Sequence, residues 1–147
     1  LSLKNKSVKW LLRALKSVSR VVPEIKFPYA IEGKNLTDDP NAADIFDADS
    51  LVNHYYTVRF FSSLLKMGKR ITPLGYLVDI PTLLLISEDD CMASNYHKKI
   101  FSAGLNPEFS KIIYFSGKHH DILNCSEREK AFLEIELWLK NFSREMC

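Results

Sequence analysis

Apolar positions follow two regimes along this chain. Up to about residue 75 they recur with helical spacing, and from Ile80 onward they gather into short continuous runs. Over residues 5–22, Val8, Leu11, Leu12, Leu15, Val18 and Val22 share one helical face. Lys9, Arg13, Lys16 and Arg20 line the opposite face, with Trp10 at the border. Pro23 ends that helix. After Phe27-Pro28-Tyr29 comes an irregular stretch. Asp39-Pro40 then reads as an N-cap with proline at the first helical position, which predicts a short helix to about Phe46. Asp49-Ser50 opens a further segment, in which Val58, Phe61, Leu64 and Leu65 form a helical stripe as far as Met67, with Gly68 as the C-terminal cap.

The second regime starts with Pro81-Thr-Leu-Leu-Leu-Ile86, a run that predicts a buried strand over 82–86. Ser94 is placed to cap a helix through Tyr96, Ile100 and Phe101 to Gly104, its expected stop. Lys111-Ile-Ile-Tyr-Phe115 predicts a second strand. Ser126-Glu-Arg-Glu129 has capping-box spacing and opens a long helix with Phe132, Ile135, Leu139 and Phe142 as its expected buried stripe. The order strand–helix–strand–helix implies a parallel pair joined by a right-handed crossover. Two strands are too few for a parallel sheet, which normally has both faces covered. The unit calls for more strands than these residues supply.

Composition changes this picture in few respects. The 147 residues are 46% hydrophobic and 26% charged, the profile of a globular chain about one domain long. No apolar stretch approaches the roughly 20 residues needed to span a bilayer. Residues 1–22 carry charges every three or four positions, unlike a signal peptide. Cys91, Cys125 and Cys147 are odd in number and unrelated in spacing. They imply a reducing, cytoplasmic setting and no disulfide framework. The net charge of +2 hides an asymmetry: residues 1–35 hold eight Lys or Arg against two Glu, and residues 36–57 hold five Asp and no Lys or Arg. Overall charge predicts no nucleic-acid partner. The helix around Lys9–Arg20 reads either as a surface helix packed on its own protein or as one lying against anionic lipid, a peripheral membrane contact. No cofactor is expected, and the residues fix no oligomeric state.

The chemistry sits just beyond the two strands. Open α/β sheets place their functional groups past the carboxyl ends of parallel strands. Here those ends lead into Ser87-Glu-Asp-Asp90 and Ser116-Gly-Lys-His-His120, an acid and a base of a nucleophile–His–acid triad. No nucleophile motif accompanies them, because none of the five glycines brackets a serine as Gly-x-Ser-x-Gly. Asp89 competes with Asp90 for the acid role and His119 with His120 for the base; Asp121 reads as a neighbouring or surface residue. A metal site from His97, His119, His120 and Cys91 or Cys125 lacks any ligand spacing that supports it. Cys91 reads as an inert loop cysteine or a reactive thiol beside the acid. Tyr55, Tyr56, Phe60 and Phe61 read as core of the first half, with lining of an acyl tunnel as the alternative.

These residues carry a resemblance. Leu85-Ile-Ser-Glu-Asp-Asp90 resembles the Leu-x-Gly-x-x-Asp acid loop of α/β-hydrolases, and Phe115-Ser-Gly-Lys-His-His120 their Tyr-x-Gly-x-x-His base loop. Leu36-Thr-Asp-Asp-Pro40 and Phe46-Asp-Ala-Asp-Ser-Leu-Val52 are similar to the cap of the monoacylglycerol lipase and lysophospholipase group, of the serine aminopeptidase S33 type. The resemblance implies an α/β fold in which residues 1–75 are a helical cap and 76–147 the C-terminal part of the core. It puts the triad acid at Asp90 and the base at His120, and it implies hydrolysis of a long-chain monoacylglycerol or lysophospholipid ester. A thioesterase, a short-ester carboxylesterase, or a non-catalytic module that binds lipid or protein are the alternatives. Two departures stand out. Ser87 occupies a position where the family has glycine, and the nucleophile elbow and His-Gly oxyanion loop are absent. Both of these lie upstream of the cap in such enzymes, so this chain alone is expected not to cleave esters.

Overall fold

The computed structural model describes residues 21–29, 31–117 and 120–145, with side chains to Phe142. The basic helix expected over residues 5–22 lies, up to Arg20, outside the described residues, as do His119 and Cys147. The described chain begins with strand β1 (Lys26–Pro28), which pairs antiparallel with β2 (Tyr55–Thr57). Neither strand is expected from the sequence, since three-residue strands are too short to show alternation. Bonds from Tyr29 N to His54 O and from Val58 N to Ile25 O extend the ladder at both ends. Helix α1 (Pro40–Ala48) starts as predicted: the Asp39 carboxylate accepts from the amides of Asn41 and Ala42, and Pro40 occupies the first turn.

Helix α2 (Val58–Ile71) is capped by Thr57, whose hydroxyl accepts from Phe60 N at 3.1 Å. It runs through Gly68 instead of stopping there, because Thr72 takes over the end and donates its hydroxyl to the Gly68 carbonyl at 2.7 Å. A 3-10 turn, Thr72–Leu77, follows. Its Gly75 lies so close to the next helix that a Cβ would sit 2.1 Å from the Phe101 carbonyl oxygen. That contact seats the turn on helix α3 (Asn95–Ala103). Ser94 does precede α3 in extended conformation, but its side chain makes no capping bond; Gly104 ends the helix as expected.

Strands β3 (Thr82–Ser87) and β4 (Ser110–Phe115) pair in parallel, Thr82 opposite Ser110 and Ser87 opposite Phe115. Helix α4 (Arg128–Glu145) closes the described chain, and the Lys111–Glu134 bond of 2.9 Å ties it to β4. Two expectations for α4 fail. Ser126 caps nothing, because its amide and hydroxyl both bond the Asp38 carboxylate. The buried face centres on Ala131, fully buried, with Ile135 partly covered, whereas Phe132 and Leu139 are about half exposed.

The core is correspondingly small. Among the described residues only Phe115 and Cys125 are large side chains sealed from solvent, with Val58, Ile86, Leu105, Ala43 and Ala131 nearly so. Leu64, Met67 and Ile71 on α2, and Leu133 and Leu137 on α4, remain open. Contiguous apolar exposure of this kind is unusual for a complete domain. Among the described residues no helix is long and apolar enough to cross a membrane.

Candidate active site

The two loops that leave the parallel strands are bonded to each other before any side chain of catalytic type is considered. Glu88 N donates to Phe115 O at 2.9 Å and Asp89 N to Gly117 O at 3.1 Å. The Ser87 hydroxyl donates to the same Gly117 carbonyl at 3.0 Å, so the serine that departs from the family's glycine acts as a tie between acid loop and base loop. Gly117 itself has φ 114°, a conformation that L side chains rarely adopt.

Asp90 closes an Asx-type turn: its Oδ1 accepts from Met92 N at 2.7 Å and Ala93 N at 3.0 Å. The same carboxylate meets His120 Nδ1 at 3.1 and 3.2 Å. Lys98, from the first turn of α3, brings its ammonium to 3.5 Å from Asp90 Oδ2 and also donates to the Ser87 carbonyl. Only 7% of the Asp90 side chain is exposed, against 42% for His120. Burial pushes the Asp90 carboxyl up, but hydrogen bonds from the Ala93 amide, His120 and the Met92 amide outweigh it and hold the group below the usual carboxylate range. An ionised carboxylate only accepts, so Nδ1 carries the proton of neutral His120 and Nε2 is left as an acceptor. This pair can take a proton from a hydroxyl and return it to a leaving group.

The base loop is held from the other half of the chain. Leu36 O accepts from both His120 N (2.8 Å) and Asp121 N (2.9 Å). Thr37 donates its hydroxyl to Asn124 O at 2.6 Å, Asp38 receives both bonds from Ser126, and Arg128 reaches Asp39 at 3.3 Å. Residues 36–39 therefore strap the loop that presents the imidazole.

The structure brings together Asp90 and His120 but not Asp89, which is exposed and bonds the base loop through its backbone. Asp121 accepts from Asn124 at 2.8 Å, a local loop contact. Cys91 is exposed, with its thiol toward Asn35 O at 3.2 Å; Cys125 is fully buried, and burial pushes its thiol pKa up. Among the described residues no three His, Cys, Asp or Glu side chains cluster to hold a metal. Sequence reasoning missed Lys98, although a cation one helical turn into α3 is a detectable signal. It also missed the strap, whose side-chain partners lie 87 to 89 residues away and whose central contact uses a backbone carbonyl.

His120 opens onto a cavity of about 560 Å³. Tyr29, Tyr56, Phe60, Phe61, Leu64 and Leu65 form its apolar wall, and Met92, His97 and Lys98 its floor on the acid side. Tyr29 stacks edge-on against Phe61 at 5.2 Å, and Tyr56 lies flat against Phe60 at 5.2 Å. Tyr55 takes no part in the wall and is 58% exposed.

A parallel strand–helix–strand–helix unit with acid and base loops at its carboxyl end, entered through a helical segment, is part of an α/β-hydrolase. Residues 1–128 match the serine aminopeptidase, S33, family, and the chain belongs to it. Two solved structures share the fold. A Paleococcus ferrophilus monoacylglycerol lipase superposes with a TM-score of 0.80 over 94% of this chain at 22% identity. A soluble variant of the Saccharomyces cerevisiae monoglyceride lipase, in complex with a substrate analogue, superposes with a TM-score of 0.76 over 92% at 15% identity. The chain is also similar to the uncharacterised Escherichia coli K12 protein YnbC, 27% identical over 109 residues. It spans 53% and 50% of the two lipase chains and 19% of YnbC.

Proposed function

We propose that this chain supplies the cap and the C-terminal half-core of a serine ester hydrolase acting on long-chain monoacylglycerol or lysophospholipid esters. Residues 1–75 form the cap, 76–147 belong to the core, and the nucleophilic serine lies upstream of this chain. The observation that carries the reading is the Asp90–His120 contact of 3.1 Å at the mouth of an apolar, aromatic-walled cavity. Membership of the S33 family and the fold shared with two monoacylglycerol lipases support it.

In this reading His120 Nε2 takes the serine proton as the hydroxyl attacks the ester carbonyl, and Asp90 stabilises the imidazolium that forms. The imidazolium then protonates the departing alcohol, leaving an acyl-serine. Water, deprotonated by the same imidazole, releases the acid. The cap covers the acyl chain, and the basic face of Lys9, Arg13, Lys16 and Arg20 favours approach to anionic lipid.

A fluorophosphonate probe on the full-length protein tests the triad. Labelling of one serine that is lost in His120→Ala is the expected result, and labelling unchanged by that substitution overturns the assignment. A chain-length profile on esters and thioesters separates the lipase reading from a thioesterase or short-ester carboxylesterase. A full-length protein without an upstream Gly-x-Ser-x-Gly serine would instead be a non-catalytic binding module.

A further inference from the structure

The placement of Lys98 sets it apart from the other paired cations described. Its side chain is only 18% exposed, whereas the cation of every other described Lys or Arg ion pair is about half exposed or more. Exposed pairs of that kind contribute little, but an ammonium taken largely out of water must be matched by partners that the fold provides. Here the acid loop provides them. Ser94 makes no capping bond at the start of α3, and the first turn of the helix reaches back to that loop instead. Asn95 donates its side-chain amide to Glu88 O. Lys98, three residues on along the same face, donates to Ser87 O and reaches Asp90 Oδ2 at 3.5 Å.

The second oxygen of Asp90 is therefore shared. Oδ1 accepts from the Met92 and Ala93 amides, while Oδ2 meets His120 Nδ1 at 3.1 Å on one side and the ammonium on the other. A carboxylate that faces an imidazole alone favours the protonated ring, and a fixed positive charge on the same oxygen opposes that preference. Among the described residues no other side chain forms an ion pair with Asp90. His97 Nδ1 meets Thr72 Oγ1, the Cys91 thiol turns to Asn35 O, Asp121 accepts from Asn124, Asp39 is held by Arg128, and Asp89 is exposed. Tyr29, Tyr56 and Lys69 stand along the cavity that His120 opens onto.

We propose that Lys98 is a positioning residue for the acid–base pair: acting through Asp90, its ammonium limits how strongly the carboxylate favours a charged His120 and so keeps the imidazole free to take a proton. The inference rests on the serine-hydrolase reading above. Its test is the pH dependence of fluorophosphonate labelling of the full-length protein, which falls on the acid side as the base becomes protonated. Lys98→Gln keeps a donor for the Ser87 carbonyl but removes the charge. Protonation of the imidazole is then easier, and the acid-side midpoint moves up by about half a pH unit. Lys98→Met, with neither donor nor charge, moves it as far, and Lys98→Arg returns it to the wild-type position. A midpoint does not depend on how much of a sample is folded, so loss of structure alone does not mimic the shift. A midpoint unmoved in Lys98→Gln and Lys98→Met, or moved equally in Lys98→Arg, overturns the proposal and leaves the hydrolase reading standing. A wild type in which no serine labels overturns that reading and this inference with it.

Discussion

The antiparallel pair β1/β2 and the parallel pair β3/β4 are both two-stranded, but they do different work. The parallel pair ends in polar loops held by hydrogen bonds: Ser87 and Asp89 to Gly117, Asp90 to Met92, Ala93 and His120. The antiparallel pair carries almost no polar chemistry. It sets aromatic rings against α2, Phe27 edge-on to Phe61 at 5.6 Å and Tyr56 flat against Phe60 at 5.2 Å, and so shapes the cavity. One pair holds its loops through directional hydrogen bonds. The other builds a wall from dispersion and ring geometry, which tolerates substitution as long as volume is kept. Polar contacts and aromatic wall are thereby assigned to separate small sheets, joined at the Gly75 turn and by the strap of residues 36–39.

The largest expected effect breaks the polar side of that division. In the proposed triad, Asp90→Asn in the full-length protein keeps the shape of the side chain but lets the wrong imidazole tautomer form, and kcat falls about 10⁴-fold with KM little changed. A loss below tenfold in steady-state assays would mean that Asp90 is not the orienting acid. Next comes the junction between the two halves. Gly75→Ala forces a Cβ against the Phe101 carbonyl oxygen at 2.1 Å, where backbone must move, and costs about 1–3 kcal/mol in denaturant unfolding. An unchanged midpoint would show that the turn is not seated as described.

A smaller effect tests the strap. Asp38→Ala removes both bonds to Ser126 and costs about 1 kcal/mol, with kcat reduced more than KM is raised because the base loop loosens while the aromatic wall stays. An equal effect on kcat for Asp38→Ala and for an exposed control, Asp44→Ala, would remove the strap's special role.

The smallest effect is on pH. The folded pKa of Asp90 is lowered from 3.8, so its ionised form stabilises the fold at neutral pH. That contribution is present above about pH 4 and is lost as pH falls through the folded value. The gap in urea midpoint between wild type and Asp90→Asn should narrow on acidification below pH 4, and a gap that stays constant would count against the bonds drawn to Asp90.

How far each feature could be read beforehand follows from the range of the interactions behind it. Strand β3, strand β4 and the start of α1 were legible because an apolar run, or a capping Asp with the following proline, encodes them within a few residues. The end of α2 was not: Gly68 looked like a stop, but Thr72 supplied a better terminus four residues later. The stripe on α4 was misplaced by one residue of rotation because periodicity locates a helical face only to within about 100°. Which part of that face is buried depends on the neighbours, and here Ala131 is sealed while Phe132 is about half exposed.

The sequence by itself determined the parallel unit, the loops that follow it, and the candidacy of Asp90 and His120. Strand-end position and residue type are local properties that a linear chain displays. Only the tertiary structure decided between Asp89 and Asp90 as the carboxylate that meets His120, added Lys98 to that carboxylate, hung the base loop on Leu36, and drew Tyr29, Tyr56, Phe60 and Phe61 around one cavity. Each of these depends on where a loop turns or on groups far apart in sequence, 87 to 89 residues for the side-chain bonds of the strap, and no local pattern carries that information.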